Sequence, residues 1–244
     1  MNTMKKQPNK QLLIPLLAIS MLAVSVSQGA TVFSDTFSLT PGTPIAGTAA
    51  DIGGVWFDGN GNGGVISPAN TFDTSGNGRL LFDSFTSTLG AGQVVTLSFD
   101  TLLQSNGAGL NGGWAGVSLY SGYTGGSSGN EQMFLGEVTS TAWGKDGGAI
   151  GGQQFGSDNQ MANHLTLTYA YDTGAWTFTS DFSSLSGSGT AGLAINALRI
   201  GNGGNGDINL DNLTVDISAV PEPASMALFG LGGLGLVFYR RCRS

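Results

Sequence analysis

A single cysteine, a single histidine and nine basic residues in 244 positions close off several kinds of chemistry at once. Cys242 has no partner for an intrachain disulfide and cannot found a cysteine-rich zinc site. His164 alone excludes a two-histidine metal centre. Lys and Arg are too few for a nucleic-acid partner, whose phosphates must be neutralised by clustered cations, and they form no run in the interior. Charged residues make up only 10% of the chain. Glycine is the opposite case, with 41 residues against a usual ~7% of a chain, yet no G-X-Y period is present and collagen is excluded.

The little charge there is sits unevenly. Lys5, Lys6 and Lys10 lie at the start of the chain and Arg240, Arg241 and Arg243 at its end, while residues 31–219 hold three basic residues against fifteen acids, a formal −12. Residues 1–30 read as a secretory signal peptide, with a Lys-bearing start, an apolar run Leu12–Val26 and then small residues. Ser27 and Gly29 meet the small-x-small rule, with Ala30 an alternative last residue before cleavage. The run is broken by Pro15 and falls short of the ~20 residues a spanning helix needs.

The last 25 residues carry the most specific pattern. Val220-Pro221-Glu222-Pro223 is followed by an uncharged stretch over 224–239 and a basic tail over 240–244. The proline pair disfavours helix before position 223. The apolar stretch spans roughly 24 Å as a helix, close to a bilayer core once Tyr239 and a snorkelling Arg240 are included. A transmembrane helix is therefore expected over 224–239. The positive-inside rule keeps the arginines cytoplasmic and puts residues 31–219 on the other side.

These three parts, in this order at the chain's end, resemble the PEP-CTERM sorting signal of Gram-negative bacteria. The resemblance implies export through the secretory translocon and a transient inner-membrane anchor with a cytoplasmic C-terminus. It further implies recognition by an exosortase-type membrane protease and delivery to the cell surface or matrix, in the company of exopolysaccharide and biofilm. Glu222 is then read by the sorting machinery and is no catalytic acid.

Residues 31–219 show no sustained helical stripe. Short β-branched and aromatic runs recur between Gly/Asn/Asp/Ser clusters, which predicts an all-β antiparallel two-sheet sandwich of ten to thirteen strands. The runs are 31–37, 55–57, 79–83, 93–103, 114–120, 133–138, 165–171, 175–182, 191–200 and 208–217. Asn-Gly and Asp-Gly pairs supply the positive-φ positions of hairpin turns, and Asp172-Thr173-Gly174 reads as a short hairpin loop. In the last strand Ile208 and Leu210 differ in parity from Leu213, Val215 and Ile217, so a bulge at Asp211-Asn212 is expected. Phe33-Ser34-Asp35-Thr36-Phe37, the stretch from Gly129 to Gly136 leading to Trp143-Gly144, and Ile208–Val215 resemble a concanavalin-like, laminin-G-like jelly roll. That resemblance implies a fold and suggests a sugar ligand.

Candidate chemistry is sparse. Glu131 and Glu137 are the only glutamates of the middle region; on one regular strand they share a face about 20 Å apart, too far for the paired carboxylates of a glycosidase. His164 reads as an exposed residue at a strand start. No cofactor is implied, with calcium the one candidate. Asp58, Asn60 and Asn62 space oxygen donors as the first half of a calcium loop does, but Ala69 stands where its closing Glu belongs, and turn formation explains the same residues. Trp114 and Trp176, inside strands, read as core; Trp143, in the loop-like stretch 140–152, is the candidate carbohydrate contact. The expectation is an exported, non-catalytic surface or matrix protein that binds exopolysaccharide. A purely structural matrix component and a carbohydrate-active enzyme are the alternatives.

Overall fold

The computed structural model describes residues 29–61, 63–68, 72–73, 80–102, 114–123, 130–139, 142–155, 163–181, 183–203 and 208–220. The signal segment over 1–28, Asn62, the apolar stretch over 224–239, Pro221, Glu222, Pro223, Arg240, Arg241 and Arg243 lie outside the described residues. Among the described residues there is no helix, and none long and apolar enough to cross a membrane.

Fifteen strands are described. In chain order they are β1 (Ala30–Asp35), β2 (Phe57–Asp58), β3 (Val65–Ile66), β4 (Phe72–Asp73), β5 (Leu80–Ser84), β6 (Gln93–Leu102), β7 (Trp114–Ser121) and β8 (Asn130–Thr139). There follow β9 (Ala142–Asp146), β10 (Gln153–Phe155), β11 (Asn163–Ala170), β12 (Ala175–Thr179), β13 (Ser184–Ser188), β14 (Ile195–Gly203) and β15 (Asn209–Ala219). They form two antiparallel sheets. The first runs β13-β12-β11-β6-β15-β4-β3, with β1 also paired to β15; the second runs β10-β9-β8-β7-β14-β5-β2. Two meanders, β7–β10 and β11–β13, supply four of the seven strands of the second sheet and three of the eight of the first. The last two strands are then inserted between earlier ones, which places β14 and β15 mid-sheet.

Alternation explains the core. Val95, Leu97 and Phe99 of β6, Leu165, Leu167 and Tyr169 of β11, and Leu213, Val215 and Ile217 of β15 point inward and are buried. They meet Ala115, Val117 and Leu119 of β7, Met133 and Leu135 of β8, and Leu198 and Ile200 of β14 in one apolar cluster. Each such Leu or Phe contributes about 1.5–3 kcal/mol by leaving water. The bulge in β15 is present: the pairing with β6 shifts between Asp211 and Thr214, and Asn212 takes φ 49°. Asn tolerates that left-handed turn, and the extra residue returns Leu210 and Leu213 to the same face.

All ten strands read from the sequence are found. Five more exceed that reading: β3, β4, β9, β10 and β13. The stretch 140–152, read as a loop, is corrected by β9, whose Trp143 pairs with Glu137 of β8 and Phe155 of β10. The Trp143 side chain lies outside the described set. The hairpin loop at Asp172–Gly174 joins β11 to β12 as expected, with Gly174 at φ 66°.

Candidate functional site

The outer face of the second sheet follows from what its strands bury. With Ala115, Val117 and Leu119 turned inward, β7 must present Trp114, Gly116, Ser118 and Tyr120 outward. By the same parity β14 presents Ala197, Arg199 and Gly201, and β8 presents Phe134 and Gly136. Glu131 reaches this face through a register shift where Leu119 pairs with Met133 but Tyr120 pairs with Glu131. Strict alternation from Met133 would have turned it into the core. The six-residue spacing puts Glu131 and Glu137 on a common face of a regular strand; the bulge is the reason that rule does not hold for Glu131.

Register aligns these residues in rows across the strands. Gly201, Gly116, Gly136 and Gly144 stand side by side on β14, β7, β8 and β9. The neighbouring row is Phe82, Arg199, Ser118, Phe134 and Asp146. Glycine is required beneath the rings: a Cβ on Gly116 would meet Phe134 Cζ at 2.9 Å, and one on Gly203 would meet Trp114 Nε1 at 2.6 Å. A cleft of about 580 Å³ opens over this region, lined by Trp114, Glu131, Phe134, Asp146, Gly147, Gly148 and Arg199.

Arg199 is the centre of the cleft's polar network. Its Nη2 donates to Glu131 Oε2 at 2.7 Å and to Ser118 Oγ at 3.1 Å. Ser118 Oγ donates to Glu131 Oε1 at 3.1 Å, and Tyr120 Oη donates to Glu131 Oε2 at 3.0 Å. The guanidinium carbon lies 5.1 Å from the Tyr120 ring centre and 5.5 Å from that of Trp114. Its Nε is buried with no hydrogen-bond partner. Burial pushes the Tyr120 phenol well above its ordinary range; Arg199 pulls the other way and Glu131 adds to the rise. Tyr120 therefore stays a neutral donor. Beside it, Phe82 stacks on Tyr123 at 5.7 Å and meets Tyr120 edge-on at 5.5 Å. Asn196 clamps the Tyr123 backbone, accepting its N–H and donating to its carbonyl.

The rim beyond β9 is fixed from inside. Lys145 is 2% exposed, and its Nζ donates to the carbonyls of Ile150 at 2.6 Å and Gly151 at 2.7 Å while lying 4.2 Å over Trp176. Burial lowers its pKa, against a smaller upward pull from Asp146. Asp146, Gly147 and Gly148 are thereby held at the cleft's edge.

The residues singled out from sequence fall elsewhere. Asp58 ends β2, and its carboxylate accepts N–H groups from Asn60 at 3.0 Å, Gly61 at 2.7 Å and Gly63 at 2.7 Å, as an Asp at the head of a turn does. Among the described residues no group of three or more His, Cys, Asp and Glu could hold a metal ion. His164 is exposed on the outer face of the first sheet, with Nδ1 2.6 Å from Asp100 Oδ1. Trp176 is buried as expected, but Trp114, also read as core, stands on the outer face and lines the cleft. Arg199 is not among those residues, although a lone cation between Leu198 and Ile200 in a buried strand must face away from the core.

The fold defines the class: an all-β, antiparallel two-sheet sandwich. The binding domain of botulinum neurotoxin serotype D shares the fold at TM-score 0.52 and 8% identity, over 78% of this chain and 49% of that one. Lectin II from Ulex europaeus (TM-score 0.49, 10% identity, 80% and 100% coverage) and the lectin-like arcelin-5 from Phaseolus vulgaris (0.48, 8%, 80% and 100%) are also similar. No curated protein matches the chain in sequence. Residues 219–243 match the PEP-CTERM protein-sorting motif. That motif marks the chain as an exported protein processed in the cell envelope.

Proposed function

We propose that the protein is a non-catalytic surface or matrix component, released by an exosortase-type protease and holding exopolysaccharide in the cleft over the second sheet. The observation that carries this reading is the Arg199–Glu131–Tyr120 network set beside Trp114 and Phe134. Apolar rings offer stacking faces, and an ordered set of donors and acceptors offers partners for hydroxyl groups. The sorting motif supports delivery to where such polymers accumulate. Affinity electrophoresis of the full chain through the producer's own polysaccharide tests the reading. Retardation that is lost in Trp114→Ala is expected; migration unchanged by polysaccharide overturns it.

One observation favours an enzyme instead, since Glu131 and Asp146 both line the cleft. Against it, Glu131 already accepts from Arg199, Ser118 and Tyr120, which makes it the anchor of the network. A reducing-end assay on the same polysaccharide separates the two readings, and the binding reading expects no product.

A further inference from the structure

The cleft's charge sets which glycans it accepts. Among the described residues its lining holds one cation, Arg199, and two acids, Glu131 and Asp146. The cation is internally engaged. Its Nη2 is bonded to Glu131 and Ser118, and its carbon lies close to the Tyr120 and Trp114 rings. An arginine that recognises carboxylates presents its two-nitrogen fork to the ligand, and here Nη2 of that fork is taken. Lys145, the one other Lys or Arg among the described residues, is drawn into the core onto two backbone carbonyls. Asp146 is exposed on the rim, and residues 31–219 carry a formal −12 around it. An anionic polymer approaching this face meets repulsion from the rim and from the whole domain, whereas a cationic one is drawn in.

Resting on the glycan-binding reading above, we infer that the cleft accepts glycans bearing free amino groups, of the partly N-deacetylated polyhexosamine class, and rejects polyuronates. A glycan ammonium would meet the Asp146 carboxylate on one side and the Trp114 and Phe134 rings on the other, a setting that suits a cation. The cleft crosses β14, β7, β8 and β9, and three inter-strand spacings of ~4.8 Å give it a length of roughly 14 Å, so a short run of sugars lies across the strands.

The test uses the full chain in detergent and four probes at 50 mM salt: a partly N-deacetylated chitooligosaccharide, its fully N-acetylated counterpart, an oligogalacturonate and a dextran oligomer. The amino-bearing probe should bind about tenfold tighter than the acetylated one, with the preference shrinking as salt rises. Asp146→Asn should bring that ratio toward unity. Asp172→Asn, which removes an equal charge from the turn between β11 and β12, should leave the ratio as it is. Uronate binding equal to or tighter than the amino-bearing probe overturns the charge assignment, as does an unchanged ratio in Asp146→Asn. Binding of none of the four overturns the glycan reading itself.

Discussion

Arg199 is 13% exposed and its partner Glu131 33%, so each has left most of its water behind and depends on the other. Removing one partner of such a pair costs more than the pair contributes, because the remaining charge is left without compensation. Glu131→Gln should destabilise the fold by about 1–3 kcal/mol in denaturant titration, reduced from the fully buried case by the remaining exposure. Arg199→Lys should weaken glycan retention about tenfold, since an ammonium replaces neither the fork nor the contact with Trp114 and Tyr120.

A second residue carries a pH dependence. Asp83 is 1% exposed; its Oδ1 accepts N–H groups from Gly54 at 2.8 Å and Ser84 at 2.6 Å, while Oδ2 is buried and unpaired. Burial raises its pKa from 3.8 to about 6, with the two backbone bonds opposing and Asp35 adding to the rise. Below the unfolded value both states hold the proton and nothing is lost. As pH climbs from about 4 to about 6 the unfolded chain releases it first, so stability falls across that window and levels off above. Asp83→Asn keeps an acceptor for Gly54 and removes the ionisation. It should stabilise the protein at pH 7.5 by up to about 3 kcal/mol and flatten the decline between pH 4 and 6 in thermal melts.

At the scale of elements, β9 and the turn after it are held by Lys145 through two carbonyls and the Trp176 ring. Lys145→Met keeps the apolar stem and deletes both bonds. Hydrogen exchange over 147–152 should accelerate by about tenfold or more, and glycan affinity should fall with it. Exchange in β6 and β11 should stay slow, because each is paired on both sides within the first sheet.

The same scale explains what could be read from sequence. Long alternating strands such as Gln93–Leu102 and Asn163–Ala170 announce themselves because one face is buried along their whole length. The bulge at Asp211-Asn212 was legible because two parity sets had to share one core. Two-residue strands such as Val65–Ile66 are too short for any period, and Ser184–Ser188 has one apolar residue and is a strand because β12 pairs with it. The cleft was less legible still. Arg199 and Glu131 stand 68 positions apart and meet only through the register of β14 on β7 and a bulge in β8.

At the scale of the whole molecule, the two outer faces differ in kind. On the first sheet Ser34, Thr214, Ser98, Thr166, Thr179 and Ser184 form one cross-strand row, a hydroxyl surface suited to water. On the second, aromatic rings surround an arginine–glutamate pair. The proposed ligand belongs to the second face. Sorting belongs to this scale too. If the exosortase-type protease acts, mass spectrometry of the surface form should find a chain ending near Val220–Pro223; a surface form that still carries Arg240–Arg243 contradicts the sorting step.

The claim that the cleft over the second sheet is where the polymer sits is tested most directly by hydroxyl-radical footprinting of the full chain with and without the producer's exopolysaccharide. Trp114 should lose reactivity in proportion to bound polymer, while His164 on the opposite face should react as before. Protection of His164 with Trp114 unchanged, or no protection at any polymer concentration, would contradict it.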